Sequence, residues 1–143
     1  MLKPLAALAI LALAGGLWWT TRPEPAAPPP PPSRAGSDAL VQITLPQTLD
    51  AQAQLGQGIF AQTCAACHGE AAVGRDGIGP PLVHRIYEPS HHADEAFQIA
   101  VAQGVRAHHW TFGNMPRIEG LTRGDVAAVI AYVRTLQRAN GIN

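Results

Sequence analysis

The run Cys64-Ala65-Ala66-Cys67-His68 constrains this chain more than any other feature, because the 143 residues contain no other cysteine. Two thiols at this spacing can form a disulfide, a redox pair, half of a zinc site or a haem attachment point. A structural zinc site usually takes four protein ligands from two such pairs, so the lack of a second pair argues against zinc. A thioredoxin-like C-x-x-C follows a β-strand, whereas the residues before Cys64 are helical in pattern, which disfavours a redox pair.

His68 directly follows the second cysteine, and this order indicates covalent haem attachment. Two thiolates at this spacing add to the two vinyl groups of a porphyrin, and the next residue then lies under the iron and offers an imidazole nitrogen. We therefore predict one haem c, bound through Cys64 and Cys67, with His68 as an axial iron ligand.

The N-terminal part of the chain has a different composition. Residues 1–21 carry one lysine, at position 3, and then an apolar run that closes with Trp18-Trp19. A helix over 18 of these positions would be about 27 Å long, close to the roughly 30 Å hydrocarbon core of a bilayer. The tryptophan pair favours an uncleaved anchor over a cleaved signal peptide, which stays the alternative. Residues 22–48, with seven prolines between Pro23 and Pro32, predict an extended linker.

This organisation predicts a single-pass protein of a bacterial inner membrane whose C-terminal domain faces the periplasm, or a soluble periplasmic protein if the N-terminal segment is cleaved. The chain has 10 basic and 10 acidic residues and no basic stripe interleaved with aromatics, so nucleic acid is not an expected partner.

Residues 49–143 form the predicted domain, and helical spacing of apolar residues predicts three helices there, at about 50–63, 92–103 and 123–138. No run alternates as a strand would, so the predicted fold class is all-α. Fewer than 100 residues build only a small core, and a buried haem would supply the missing apolar surface.

Several motifs in this domain, in order and at compatible spacings, resemble those of the class I c-type cytochromes. The resemblance covers residues 50–143 and rests on Gly56 and Phe60 before the C-x-x-C-H run, then Gly79-Pro80, Met115-Pro116 and the VIAYV run at 129–133. It implies a small cytochrome c fold, with three main helices around one covalent haem. It also implies that the first helix crosses the last at Gly56, near Tyr132.

The resemblance further implies roles for residues around the iron. The Pro80 carbonyl is expected to accept a hydrogen bond from the second ring nitrogen of His68, which fixes its tautomer. Met115 is expected to be the other axial ligand, since the only other methionine is Met1. Trp110 and Tyr87 are candidates for contacts with a haem propionate.

Two histidine pairs, His91-His92 and His108-His109, flank the predicted middle helix. A helix of about 11 residues would hold its ends about 16 Å apart. We therefore favour surface or haem-edge roles for these histidines over a shared metal site, which the sequence leaves open. Replacement of Met115 on the iron by His108 or His109 is a further alternative.

Ligation by histidine and methionine leaves no open iron position, so we expect an electron carrier and not an enzyme. The expected partners are membrane-bound respiratory proteins: a quinol-oxidising cytochrome complex as donor and a terminal oxidase as acceptor. Two alternatives stay open. One is a gas-binding sensor with a labile Met115 bond, and the other is a dedicated cytochrome partner of a dehydrogenase or copper enzyme.

Overall fold

The computed structural model describes residues 38–143. The predicted membrane segment, residues 1–21, and most of the predicted linker lie outside the described residues. Within residues 38–143, no helix combines the length and the apolar character needed to cross a membrane.

The described part of the chain is helical, as the sequence predicts. Two longer helices and two shorter ones follow each other: α1 Ala51–Thr63, α2 Ala65–His68, α3 Asp94–Gln103 and α4 Arg123–Ala139, with 3-10 turns at Glu70–Ala72 and Arg85–Tyr87. Between residues 38 and 143 there is no β-strand, only two isolated bridges. The three predicted helices are therefore confirmed, with ends that differ from the prediction by no more than two residues.

Side chains at the helix N-termini explain where α1 and α4 begin. The Asp50 carboxylate accepts a hydrogen bond of 2.8 Å from the backbone N–H of Ala53. Thr122 and Asp125 form a reciprocal capping box, in which each side chain accepts from the backbone N–H of the other. These bonds satisfy donors that the first turn of a helix otherwise leaves unpaired.

Helices α1 and α4 cross in direct backbone contact at Gly56. An added Cβ at this position would lie 1.9 Å from the Ala128 carbonyl oxygen, so only glycine permits the approach. One turn further along α1, the rings of Phe60 and Tyr132 pack with their centroids 5.7 Å apart. The packing expected from the resemblance is present, and it forms the centre of the core.

The segment 38–48 belongs to the domain and not to an extended linker, which corrects the predicted linker end at residue 48. The backbone N–H groups of Leu40 and Val41 both donate to the Val73 carbonyl at 3.2 Å. Ile43 is 4% exposed and packs in the core. The physical reason is composition, because the proline run stops at Pro32 and apolar side chains that can be buried follow it.

Candidate functional site

One large cavity of about 590 Å³ lies between the C-terminal end of α1, helix α3 and the loop that precedes α4. Its volume is within the range of cofactor sites. Apolar side chains form most of the wall, and the same wall includes Cys64, Cys67, His68 and Met115. The structure thus brings the predicted attachment residues and the predicted second iron ligand to one cavity.

The helical turn after α1 positions the two cysteines and His68. The Cys64 N–H donates to the Phe60 carbonyl and the His68 N–H donates to the Cys64 carbonyl, each at 2.9 Å. Cys64 is half-buried, Cys67 is exposed, and no disulfide joins them. Burial raises the pKa of the Cys64 thiol, and a hydrogen bond with Thr63 opposes the shift. The turn therefore presents two separate thiols, as covalent attachment to a porphyrin requires.

His68 is buried, and a hydrogen bond at one of its ring nitrogens fixes the orientation of the ring. Its Nδ1 lies 2.9 Å from the Pro80 carbonyl oxygen, an arrangement in which Nδ1–H donates and Nε2 keeps its lone pair. Burial lowers the pKa of His68, and the bond to Pro80 opposes this shift. The Pro80 loop lies directly on the attachment motif, because a Cβ at Gly79 would be 2.6 Å from the Cys67 carbonyl oxygen. A neutral, oriented imidazole of this kind suits a metal ligand.

Met115 lies in an irregular strap that is bonded to the end of α3. Val105 and Met115 exchange two backbone hydrogen bonds, of 2.9 Å and 3.0 Å. Gly104 has φ +76°, and a Cβ there would lie 2.6 Å from the Met115 carbonyl oxygen. The Asn114 side chain also accepts from the Ala107 N–H at 2.9 Å. These contacts fix the backbone of Met115, whose half-buried side chain lines the cavity.

Trp110 and Tyr87 also line the cavity. The Trp110 Nε1–H is buried and has no hydrogen-bond partner. Burial raises the pKa of Tyr87, and the neighbouring indole N–H opposes this shift without reaching hydrogen-bonding geometry. A buried donor without an acceptor is costly, so we expect an anionic or carbonyl acceptor beside the Trp110 Nε1–H. A haem propionate would supply one, so these residues fit the group that the motif predicts.

The two histidine pairs are close together, although the sequence predicted that the middle helix would separate them. The Nε2 atoms of His91 and His109 are 3.4 Å apart. The separation was overestimated because α3 begins only at Asp94 and the chain turns back after Gly104, whose positive φ allows the reversal. Helical spacing alone could not have shown this return of the loop.

The sequence profile of the cytochrome c family matches residues 53–137, so the chain belongs to this family. It is a class I c-type cytochrome, and the prediction of covalently bound haem c at Cys64 and Cys67 is confirmed.

Two curated relatives are the cbb3-type cytochrome c oxidase subunits FixP of Bradyrhizobium sp. and Bradyrhizobium diazoefficiens. They are 36% and 34% identical to this chain over 94 residues. The matched region is 64% of this chain and 30% of each relative, so the chain spans about three tenths of the length of these relatives.

Proposed function

We propose that this protein carries single electrons, with His68 and Met115 as the two axial ligands of its haem iron. One observation carries the proposal. The attachment turn and the Met115 strap line the same cavity, and hydrogen bonds to Pro80 and Val105 fix their positions. When bound, haem c supplies a one-electron iron couple.

The residues around the cavity each have a definite task in this proposal. Cys64 and Cys67 hold the macrocycle, and the Pro80 carbonyl keeps the His68 Nε2 lone pair available. Met115 would offer a thioether to the iron, which favours a higher potential than a second imidazole would. With His68 and Met115 both bound to the iron, no iron position would stay open for a substrate, so the proposed role is that of a carrier and not of an enzyme.

The proposed acceptor is a terminal oxidase and the proposed donor is a membrane-bound cytochrome complex or dehydrogenase. Support for the oxidase comes from the similarity to FixP, which is named as an oxidase subunit. From residue 49 onward the chain has seven arginines, eight acidic residues and no lysine, so long-range steering by a positive patch is weak. A membrane anchor and a proline-rich linker would instead keep the domain near its partners, at an effective concentration that can reach millimolar.

Electron delivery to oxidase-containing membranes tests the proposal. The full-length, haem-loaded protein is reduced, mixed with membranes that contain a cbb3-type oxidase, and followed by haem absorbance. We expect oxidation in these membranes and none in matched membranes that lack the oxidase. Equal rates in the two preparations would contradict the oxidase as acceptor.

Cleavage of the chain within residues 28–32 tests the tether separately. We expect slower electron flow in intact membranes with an unchanged haem spectrum, because the released domain loses the high effective concentration that a tether provides. Unchanged electron flow at equal abundance would contradict the tethered arrangement.

A further inference from the structure

We propose that His91, His92 and His109 form a binding site for one divalent transition-metal ion, Zn²⁺ or Cu²⁺, at the rim of the haem cavity, which His92 and His109 also line. The three side chains come from the segments before and after α3. Each offers a ring nitrogen, and these nitrogens all lie within 4.8 Å of one another.

The spacing fits a metal centre. In a tetrahedral site with metal–nitrogen bonds of about 2.0–2.1 Å, two ligand nitrogens are about 3.3–3.4 Å apart. The Nε2 atoms of His91 and His109 are already 3.4 Å apart. His91 and His109 are both exposed, so small rotations of their rings can bring their nitrogens to the same spacing from the ring nitrogen of His92. Three imidazoles leave a fourth position for water or for a side chain of another protein.

A backbone hydrogen bond orients the ring of one proposed ligand, His92. His92 Nδ1 lies 2.6 Å from the Ile86 carbonyl oxygen, so Nδ1–H donates and Nε2 is left with its lone pair. A metal-binding histidine typically donates its second ring N–H to a carbonyl or carboxylate in this way.

The segments before and after α3 are both held by contacts that do not involve the rings of the three proposed ligands. The buried Arg134 guanidinium donates to the backbone carbonyls of Tyr87 and His92 and to the Asp94 carboxylate. On the other side, Asn114 accepts from the Ala107 N–H and holds the approach to His109. The site is therefore largely preorganised, and a metal ion does not have to order a free loop.

The ring types select the class of metal. Imidazole nitrogen suits Zn²⁺, Cu²⁺ and Ni²⁺, whereas Mg²⁺ and Ca²⁺ prefer oxygen ligands. Among divalent ions, nitrogen sites bind Cu²⁺ most tightly. Zn²⁺ has no redox chemistry, so its binding can be measured without an electron passing to or from the haem.

Calorimetric titration of the full-length, haem-loaded and oxidised protein with zinc chloride tests the proposal, with no histidine tag present. We expect one ion per chain. His91→Ala and His109→Ala should each weaken binding by at least about tenfold, the size of effect seen when groups around a metal are removed. The matched control is His84→Asn, which removes an imidazole outside the cluster, keeps a side-chain acceptor for the Ile86 N–H and should leave the affinity unchanged.

A second readout identifies the ligands directly. Electron paramagnetic resonance of the Cu²⁺-loaded protein should show coupling to at least two imidazole nitrogens, and the coupling should decrease in His109→Ala. Three results would overturn the proposal: no saturable binding of zinc, equal affinity in wild type and His109→Ala, or equal weakening by His84→Asn. In each case the cluster is a hydrogen-bonded group of imidazoles without a metal.

Discussion

Substitution of Gly56 by alanine tests the packing on which the cavity depends. Alanine is the better helix former by about 1 kcal/mol, so propensity alone predicts a stabilised protein. The structure predicts the opposite, because the new Cβ would lie 1.9 Å from the Ala128 oxygen and 2.9 Å from the Val129 nitrogen. Both atoms belong to the backbone, so no side-chain rotation relieves the clash, and α1 and α4 must separate by about 1 Å or more.

The cost follows from this separation. Overpacking in a core costs about 1–3 kcal/mol, and here the Phe60–Tyr132 contact is loosened as well. After the gain in propensity of about 1 kcal/mol, we expect a net loss of about 1–2 kcal/mol in the free energy of unfolding. For a domain of this size that corresponds to a fall in Tm of about 4–16 °C. Denaturant titration of the haem-loaded protein, followed by haem absorbance and far-ultraviolet circular dichroism, measures the free energy of unfolding.

Gly58 provides a matched control in the same helix, because an added Cβ there would meet nothing within 4 Å. Gly58→Ala should therefore stabilise the protein by about 0.5–1 kcal/mol. Opposite signs at the two glycines are the expected result. Stabilisation by both substitutions would refute the close crossing of α1 and α4.

Three further predictions concern polar groups. Arg134→Leu should lower the free energy of unfolding by about 2–4 kcal/mol, because it removes the donors to the His92 carbonyl and to the buried Gln137 side chain. The exposed Arg138→Leu should change it by less than about 0.5 kcal/mol, and chemical denaturation measures both. Trp110→Phe should lower the haem potential by about 20–40 mV in a redox titration, because a propionate carboxylate would lose its hydrogen-bond donor and its negative charge would be less compensated near the iron. An unchanged potential would argue against a propionate contact. The free energy of unfolding should fall as the pH drops below about 4.5, because a hydrogen bond from Arg123 lowers the pKa of Glu95 in the folded protein below its ordinary 4.5. Glu95 therefore takes up a proton at a higher pH in the unfolded chain than in the folded protein. Glu95→Gln should flatten this acid limb in denaturation experiments at several pH values, and an unchanged slope would contradict the assignment.

Sequence patterns predicted much of the fold because its helices follow local rules. Apolar spacing located α1, α3 and α4, and the C-x-x-C-H run located the haem. Gly56 and Met115 were identified because their neighbours match a known family, and a helix glycine or a loop methionine alone would carry little information. Local rules therefore gave the elements, and the resemblance gave the contacts between them.

The features that were not predicted depend on tertiary contacts between distant parts of the chain. Residues 38–48 are ordered by hydrogen bonds to Val73 and Asn140, which lie far away in sequence. The histidine pairs converge because Arg134 holds the segment before α3 and the Met115 strap directs the segment after it. The periodicity of a sequence carries no information on the distance between two loops, so neither feature could be predicted from the sequence.

The identity of the iron ligands is the central claim, and optical spectroscopy tests it most directly. Spectra of the haem-loaded protein are recorded oxidised and reduced, with and without carbon monoxide, for wild type and Met115→Ala. We predict a low-spin reduced spectrum that carbon monoxide does not change, and a sulfur-to-iron charge-transfer band that disappears in Met115→Ala. A high-spin spectrum, or ready binding of carbon monoxide to the wild type, would contradict ligation by His68 and Met115.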